Sequence, residues 1–223
     1  MKLILGIANF DNEYGLSNKL KKKNIKSILF KLRKFKINEI DTATNYIKSN
    51  NALSKLDVSN YKFNLKIPLI KYKKNFQADI LNYINKFKVK IKTNKINTLM
   101  FHDRKQINQK NFKYILKFIK NLKEKKIINR YGFSIYNLDE FYKIIKFCSP
   151  DVIQVPINIF DQRFTSKKIN NLLKKKKIQL HARSIFLQGV LLNKSVKLNH
   201  EVSNIILKKY WNIISKLKYD PLV

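Results

Sequence analysis

The stretch "INTLMFHDRKQINQKNFKYILKFIKNLKEKKIINRYGFSIY", residues 96–136, decides the architecture. It opens on an apolar run, 96–102, that ends in His102, and it closes on a second such run, 130–135. Between them Phe112, Ile115, Leu116, Ile119 and Leu122 recur at helical spacing while Lys fills the other face. That pattern predicts an amphipathic helix over 109–126. A strand, a crossover helix and a second strand make the repeating unit of a parallel sheet. Strands covered on both sides read as nearly continuous apolar runs, and "INTLMF" (96–101) and "DVIQV" (151–155) do so.

The same alternation extends outward in both directions. Further strands are predicted at 3–8, 38–41, 63–68, 152–155 and 178–182. Helices are predicted at 17–36, 50–56, 76–92, 138–147, 166–176 and 201–218. Seven strand–helix units in strict alternation predict an α/β fold built on a parallel sheet. No linker rich in Gly, Ser or Pro divides the chain, so residues 1–223 are expected to form a single domain. The run "KKKK" at 174–177 falls at a helix end, where cations meet the negative end of the dipole.

Composition bounds the function. A hydrophobic content of 44% and an aromatic content of 12% belong to a chain that folds around a core. A net charge of +34 raises nucleic acid or an anionic membrane surface as partners. Codon bias offers a plainer cause: Lys, Asn and Ile supply 101 of 223 residues, as expected of an A/T-rich genome. Lys outnumbers Arg 43 to 5, whereas base edges are read chiefly by Arg's planar fork. Neither nucleic acid nor membrane is therefore expected as a partner.

The single cysteine, Cys148, permits no intrachain disulfide, so a reducing, cytoplasmic setting is expected. "MKLILGIANF" (1–10) reads as a first strand rather than a signal peptide, because no small-residue cleavage site follows it. No apolar segment approaches the ~18 residues that span a bilayer.

Polar residues gather where the predicted strands end. Strand two ends in Asp41, strand four in His102 and strand five in Ser134; strand six carries Gln154 and strand three carries Lys66. Strand seven runs into "HARS", with His181, Arg183 and Ser184. If the units close into a barrel, this is the rim where chemistry belongs. Each residue has an ordinary explanation taken singly. Asp41 can cap the following turn, His102 can be a satisfied structural histidine, and Tyr46 is one of 11 tyrosines. Jointly they complement one another. A buried Lys66 needs a counter-charge, which Asp41 can supply, and a phenol needs a nearby cation to give up its proton near neutral pH.

"DTATNY" (41–46), "LKIP" (65–68), "FHD" (101–103) and "YGFSIY" (131–136) together resemble the aldo-keto reductase superfamily. "LGIANFDNEYGLSN" (5–18), "IQVPINIFDQR" (153–163) and "HARSIFLQGVLL" (181–192) are similar to its bacterial branch associated with surface-polysaccharide biosynthesis. The resemblance implies a TIM (β/α)8-type barrel. With only seven units, and with "KYDPLV" (218–223) standing where relatives begin the helix leading into strand eight, that barrel is expected to be incomplete and C-terminally truncated.

By the same resemblance Asp41, Tyr46, Lys66 and His102 form the catalytic set, with Tyr46 as proton donor. Ser134 and Gln154 fall where the family holds the nicotinamide carboxamide, and Ser184 where it approaches the cofactor pyrophosphate. Arg183 stands where many relatives set an aromatic against the nicotinamide. NADPH or NADH is the implied cofactor, with no metal, and a small carbonyl compound, sugar derivatives among the candidates, the implied substrate. Ile47, Asn50 and "LS" at 53–54 replace the Gly, Glu and Leu-Gly usual in the family. Two outcomes are compatible with these residues: a working reductase, or a truncated pseudoenzyme with a scaffolding or regulatory role.

Overall fold

Seven strands pair side by side in chain order, every neighbour parallel. The computed structural model describes residues 2–10, 25–94, 96–196, 198 and 200–217. The strands are β1 Leu5–Gly6, β2 Glu39–Ala43, β3 Lys62–Ile67, β4 Ile96–Phe101, β5 Ile128–Ser134, β6 Val152–Pro156 and β7 Gln179–Arg183. The helices are α1 Ile25–Lys34, α2 Ile47–Leu53, α3 Phe76–Ile91, α4 Phe112–Glu124, α5 Leu138–Phe147, α6 Lys167–Lys175 and α7 Glu201–Lys216. Strand and helix alternate throughout, as the hydrophobic periodicity requires. Residues 17–24 of the first predicted helix, Lys218 of the last, residues 11–18 of the opening motif and all of "KYDPLV" lie outside the described residues.

The sheet curls into an incomplete TIM-type barrel of seven strands. Its curl is visible in side chains that meet across its hollow. Arg130 on β5 donates to Glu39 on β2 at 3.4 Å and, by another nitrogen, to Gln179 on β7. Gln154 on β6 donates to Asp41 on β2 at 3.1 Å. Strands that are not neighbours can touch this way only if all of them project into one concave interior.

The other face of the sheet is apolar. In α4 the predicted stripe Phe112, Ile115, Leu116, Ile119 and Leu122 is buried in full. Phe112 meets Phe101 of β4 and Phe133 of β5 edge-on, with ring centroids 5.3 and 6.0 Å apart. α3 contributes Ile80, Ile84, Phe87 and Ile91 to the same core by the same spacing. α5 and α6 begin where Asn137 and Ser166 accept hydrogen bonds from the backbone amides of Glu140 and Ile169, capping free N–H groups of the first turn.

Gly132 is required by close strand approach. A Cβ there would lie 2.3 Å from the carbonyl oxygen of Val152 on the neighbouring strand. Two expectations about boundaries need correction. β2 continues to Ala43, so Asp41 sits inside the strand, paired with Asn64, rather than at its end. The first strand is shorter than predicted, holding only Leu5–Gly6 in the ladder. Both differences have one cause: a strand extends as far as its partner offers hydrogen bonds, which local sequence does not encode. No described helix is long and apolar enough to cross a membrane.

Candidate active site

β2 and β3 bring the first pair together. Asp41 and Lys66 lie on adjacent strands, two positions apart in register, so their side chains share the concave face. The Lys66 ammonium donates to the Asp41 carboxylate, with side chains only 4% and 16% exposed respectively. It also donates to the side-chain oxygen of Gln154 at 3.4 Å. Gln154 completes the loop by donating from its amide nitrogen to the other Asp41 oxygen at 3.1 Å. Ser134, the register partner of Gln154 on β5, donates to the same Gln154 oxygen at 3.3 Å. Four side chains from four strands thus satisfy one another, which a lysine buried this deeply needs.

Tyr46 stands immediately before α2 and is half-buried. The Lys66 ammonium lies 5.8 Å from its ring centroid. The His102 ring approaches the Tyr46 ring edge-on, with centroids 6.2 Å apart and planes at 88°. His102 extends the β4 ladder by donating its backbone N–H to the Ile67 carbonyl at 3.0 Å. Burial, helped by the Lys66 charge, holds its imidazole below the usual histidine range. The ring is therefore neutral at pH 7, able to donate from one nitrogen and accept at the other.

The turn that carries Tyr46 is held by a residue that the family resemblance marks as a departure. Asn50 accepts from the Thr42 hydroxyl at 2.8 Å and donates to the Ala43 carbonyl at 2.9 Å. These bonds tie the end of β2 to the first turns of α2. Ser49 adds a bond from its hydroxyl to the Ile7 carbonyl at 2.8 Å, fastening α2 to the first strand–loop segment. Ile47 is the first helical residue, with ordinary helical backbone, so the glycine usual in the family is not needed at this position.

Arg183 and Ser184 lie at the end of β7 on the same rim. The Arg183 guanidinium stacks 4.1 Å from the centroid of the Tyr136 ring and donates to the Ile135 carbonyl at 3.2 Å. Ser184 adopts a left-handed backbone, φ 57°, and its carbonyl accepts from the Asn158 amide at 3.4 Å. A cavity of about 570 Å³ opens beside them, lined by Asn45, Pro68, Leu69, His102, Arg104 and Tyr136 among others. The structure therefore gathers Asp41, Tyr46, Lys66, His102, Ser134 and Gln154 into one cluster, with Arg183 and Ser184 on its flank.

The donor set suits a nicotinamide at this rim. The Ser134 oxygen retains acceptor capacity after its bond to Gln154, and the Gln154 amide retains one hydrogen. A carboxamide needs one acceptor and one donor of that kind. Arg183 offers a planar guanidinium beside that position, and Ser184, half-buried, follows it on the rim.

Sequence reasoning missed a second polar layer beneath the first. Glu39, 3% exposed, accepts from Lys2 at 2.5 Å, from Asn64 at 3.1 Å and from Arg130 at 3.4 Å. Burial works to raise its carboxyl, but the bonds from Lys2 and Asn64 and the charges of Lys2 and Arg130 hold it below the usual range. His181 lies between the two layers, paired in register with Gln154. The signal was available as polar residues two apart on one strand face: Glu39 and Asp41, Asn64 and Lys66, Gln179 and His181.

The aldo/keto reductase family model matches residues 2–210 of the chain. Among solved structures, the chain is similar to the holo form of an aldo-keto reductase from Bacillus halodurans, at 16% identity, 92% of this chain, 71% of that chain and TM-score 0.67. It is similar to a glycerol dehydrogenase from Gluconobacter oxydans, at 17% identity, 88% of this chain, 63% of that chain and TM-score 0.62. It is also similar to an aldo-keto reductase from Bombyx mori in complex with NADP, at 12% identity, 82% of this chain, 62% of that chain and TM-score 0.59. No curated protein sequence matches it.

Proposed function

Because the chain belongs to the aldo/keto reductase family, we propose that it is a cytoplasmic NAD(P)H-dependent oxidoreductase acting on a small carbonyl compound of the sugar-derivative type. One observation carries the reading: a buried ammonium, Lys66, is ion-paired to Asp41 and lies 5.8 Å from the ring centroid of Tyr46. The relatives in holo form and in complex with NADP support the choice of cofactor. Ser134 and Gln154 would hold its carboxamide, Arg183 would lie against its nicotinamide ring by its planar guanidinium, and Ser184 would approach its pyrophosphate. When bound, a reduced nicotinamide supplies hydride to the carbonyl carbon.

The chain's own residues handle the proton. The Tyr46 hydroxyl donates its proton to the carbonyl oxygen as negative charge builds there. Lys66, whose ammonium lies 5.8 Å from the Tyr46 ring centroid, stabilises the phenolate left behind by charge attraction. Asp41 holds that ammonium in place, and Gln154 keeps the pair from rotating. His102, neutral at pH 7, donates a hydrogen bond to the carbonyl oxygen and orients it for attack.

Tyr46→Phe tests the assignment. Carbonyl reduction should fall by a factor on the order of 10³, while the NADPH dissociation constant changes less than about threefold. Survival of activity without the hydroxyl would sink the role given to Tyr46. Titration of the wild type by NADPH fluorescence is the companion measurement. Micromolar affinity supports the enzyme, and no binding at millimolar cofactor favours a pseudoenzyme.

A further inference from the structure

We propose that the carbonyl substrate carries an anionic group, a carboxylate or a phosphate, and that Arg104 at the cavity mouth receives it; this rests on the reductase reading above. The chain has only five arginines among 223 residues, so arginine, unlike lysine, is not explained by compositional drift. Three of the five are ion-paired: Arg33 with Asp57 at 3.1 Å, Arg130 with Glu39 at 3.4 Å and Arg163 with Asp161 at 2.7 Å. Among the described residues, Arg104 and Arg183 have no carboxylate within ion-pair distance. Both stand at the same cavity. Arg104 lines it, two residues beyond His102, and Arg183 backs its Tyr136 wall at 4.1 Å.

The wall's own acid offsets only one of this corner's two positive charges, those of Arg104 and Lys105. The Asp103 carboxylate also lines the cavity, but one of its oxygens is engaged by the backbone N–H of Lys105 at 2.7 Å, capping the short turn that presents Arg104. Lys105 adds a further cation to the lining. An unpaired guanidinium offers a planar fork of donors that matches a carboxylate or phosphate bidentately. Its position past His102 sets the anion at one end of a small substrate while the carbonyl lies against Tyr46 and His102.

The test uses matched substrates on the wild type, on Arg104→Gln and on Lys34→Gln, an exposed residue of α1 that carries the same loss of charge without lining the cavity. Succinic semialdehyde is compared with its methyl ester, and glyceraldehyde 3-phosphate with glyceraldehyde, each with NADPH. The wild type should favour the charged member of at least one pair in kcat/KM. That preference should fall on the order of 10- to 100-fold in Arg104→Gln, mainly through KM, and by less than about twofold in Lys34→Gln. Calorimetric titration with succinate and with inorganic phosphate should show the same variant ranking without any turnover, and the tighter probe identifies the anion class.

Equal use of charged and neutral substrates by the wild type would overturn the proposal, as would equal weakening of anion binding in the two variants. If no aldehyde is reduced yet Arg104→Gln alone abolishes succinate or phosphate binding, the anion site stands and the reductase reading fails.

Discussion

The Gln154 amide donates to the Asp41 carboxylate at 3.1 Å across 113 positions of sequence. β2 and β6 have three strands between them, so this bond exists only because the sheet curls far enough to bring its two sides together. It also gives Gln154 two tasks at once: its oxygen accepts from Lys66 and Ser134 while its nitrogen orients the acid. Barrel curvature and site geometry are therefore one property, and perturbing either should be visible in the other.

Asp41→Asn leaves the Lys66 ammonium, 4% exposed, with only an amide and weaker acceptors for company. Breaking a buried pair from one side should cost about 3 kcal/mol, read as a lower urea midpoint at unchanged slope. Adding Lys66→Met to that variant should recover most of the loss, because no buried charge then lacks a partner. A double variant as unstable as the single one would show that the pair is not energetically coupled.

His181 is 7% exposed, and among the described residues its Nδ1 finds no hydrogen-bond partner. Burial first, and then the Arg130 charge, pushes its imidazole down to about 4. An unfolded histidine titrates near 6.5, so between about pH 6.5 and 4 the unfolded chain takes up a proton that the folded chain refuses. Stability from this residue is complete above that window and is lost as pH falls through it, by about 3 kcal/mol at most. Burial depresses His102 in the same sense, adding to the slope. Unfolding measured from pH 4 to 7 should show a shallower dependence in His181→Gln than in the wild type. Identical slopes would refute it.

Gly132→Ala introduces a Cβ 2.3 Å from the Val152 carbonyl oxygen, and both partners are backbone. β5 and β6 must separate to admit it. A cost of about 2 kcal/mol or more is expected, with weakened NADPH binding because Ser134 and Gln154 sit on those two strands. Wild-type thermal stability in this variant would contradict the close approach.

Glu39→Gln removes the acid that Arg130, Lys2 and Asn64 share at the foot of the barrel. Stability should drop by about 3 kcal/mol while the NADPH dissociation constant stays within about twofold, because this layer lies beneath the candidate site and touches none of it. Loss of cofactor affinity at constant stability would instead couple the floor to the rim.

Much of the site was legible. Asking which polar residues fall near strand ends found Asp41, Lys66, His102, Ser134 and Gln154, and the structure brings them together. Asn50 was not legible as a support, since its value lies in two bonds to the end of β2 that only the turn creates. The floor around Glu39 and Arg130 was hidden for another reason. In "EIDTA" Glu39 and Asp41 stand two apart and in "NRYGFS" Arg130 and Ser134 stand four apart, so each pair shares a strand face, but which face turns inward depends on the neighbouring strands.

What the amino-acid order determined alone is the succession of strands and helices, because apolar spacing of two or 3.6 residues acts within a few turns of chain. It also set the chemistry available, a scarce set of acids and arginines in a sea of lysine. Where each strand stops, which face of it looks into the barrel and which distant side chains satisfy Lys66 were decided only on folding. Those choices depend on hydrogen-bond partners and burial that one stretch of sequence receives from another, more than 100 positions away in the case of Asp41 and Gln154.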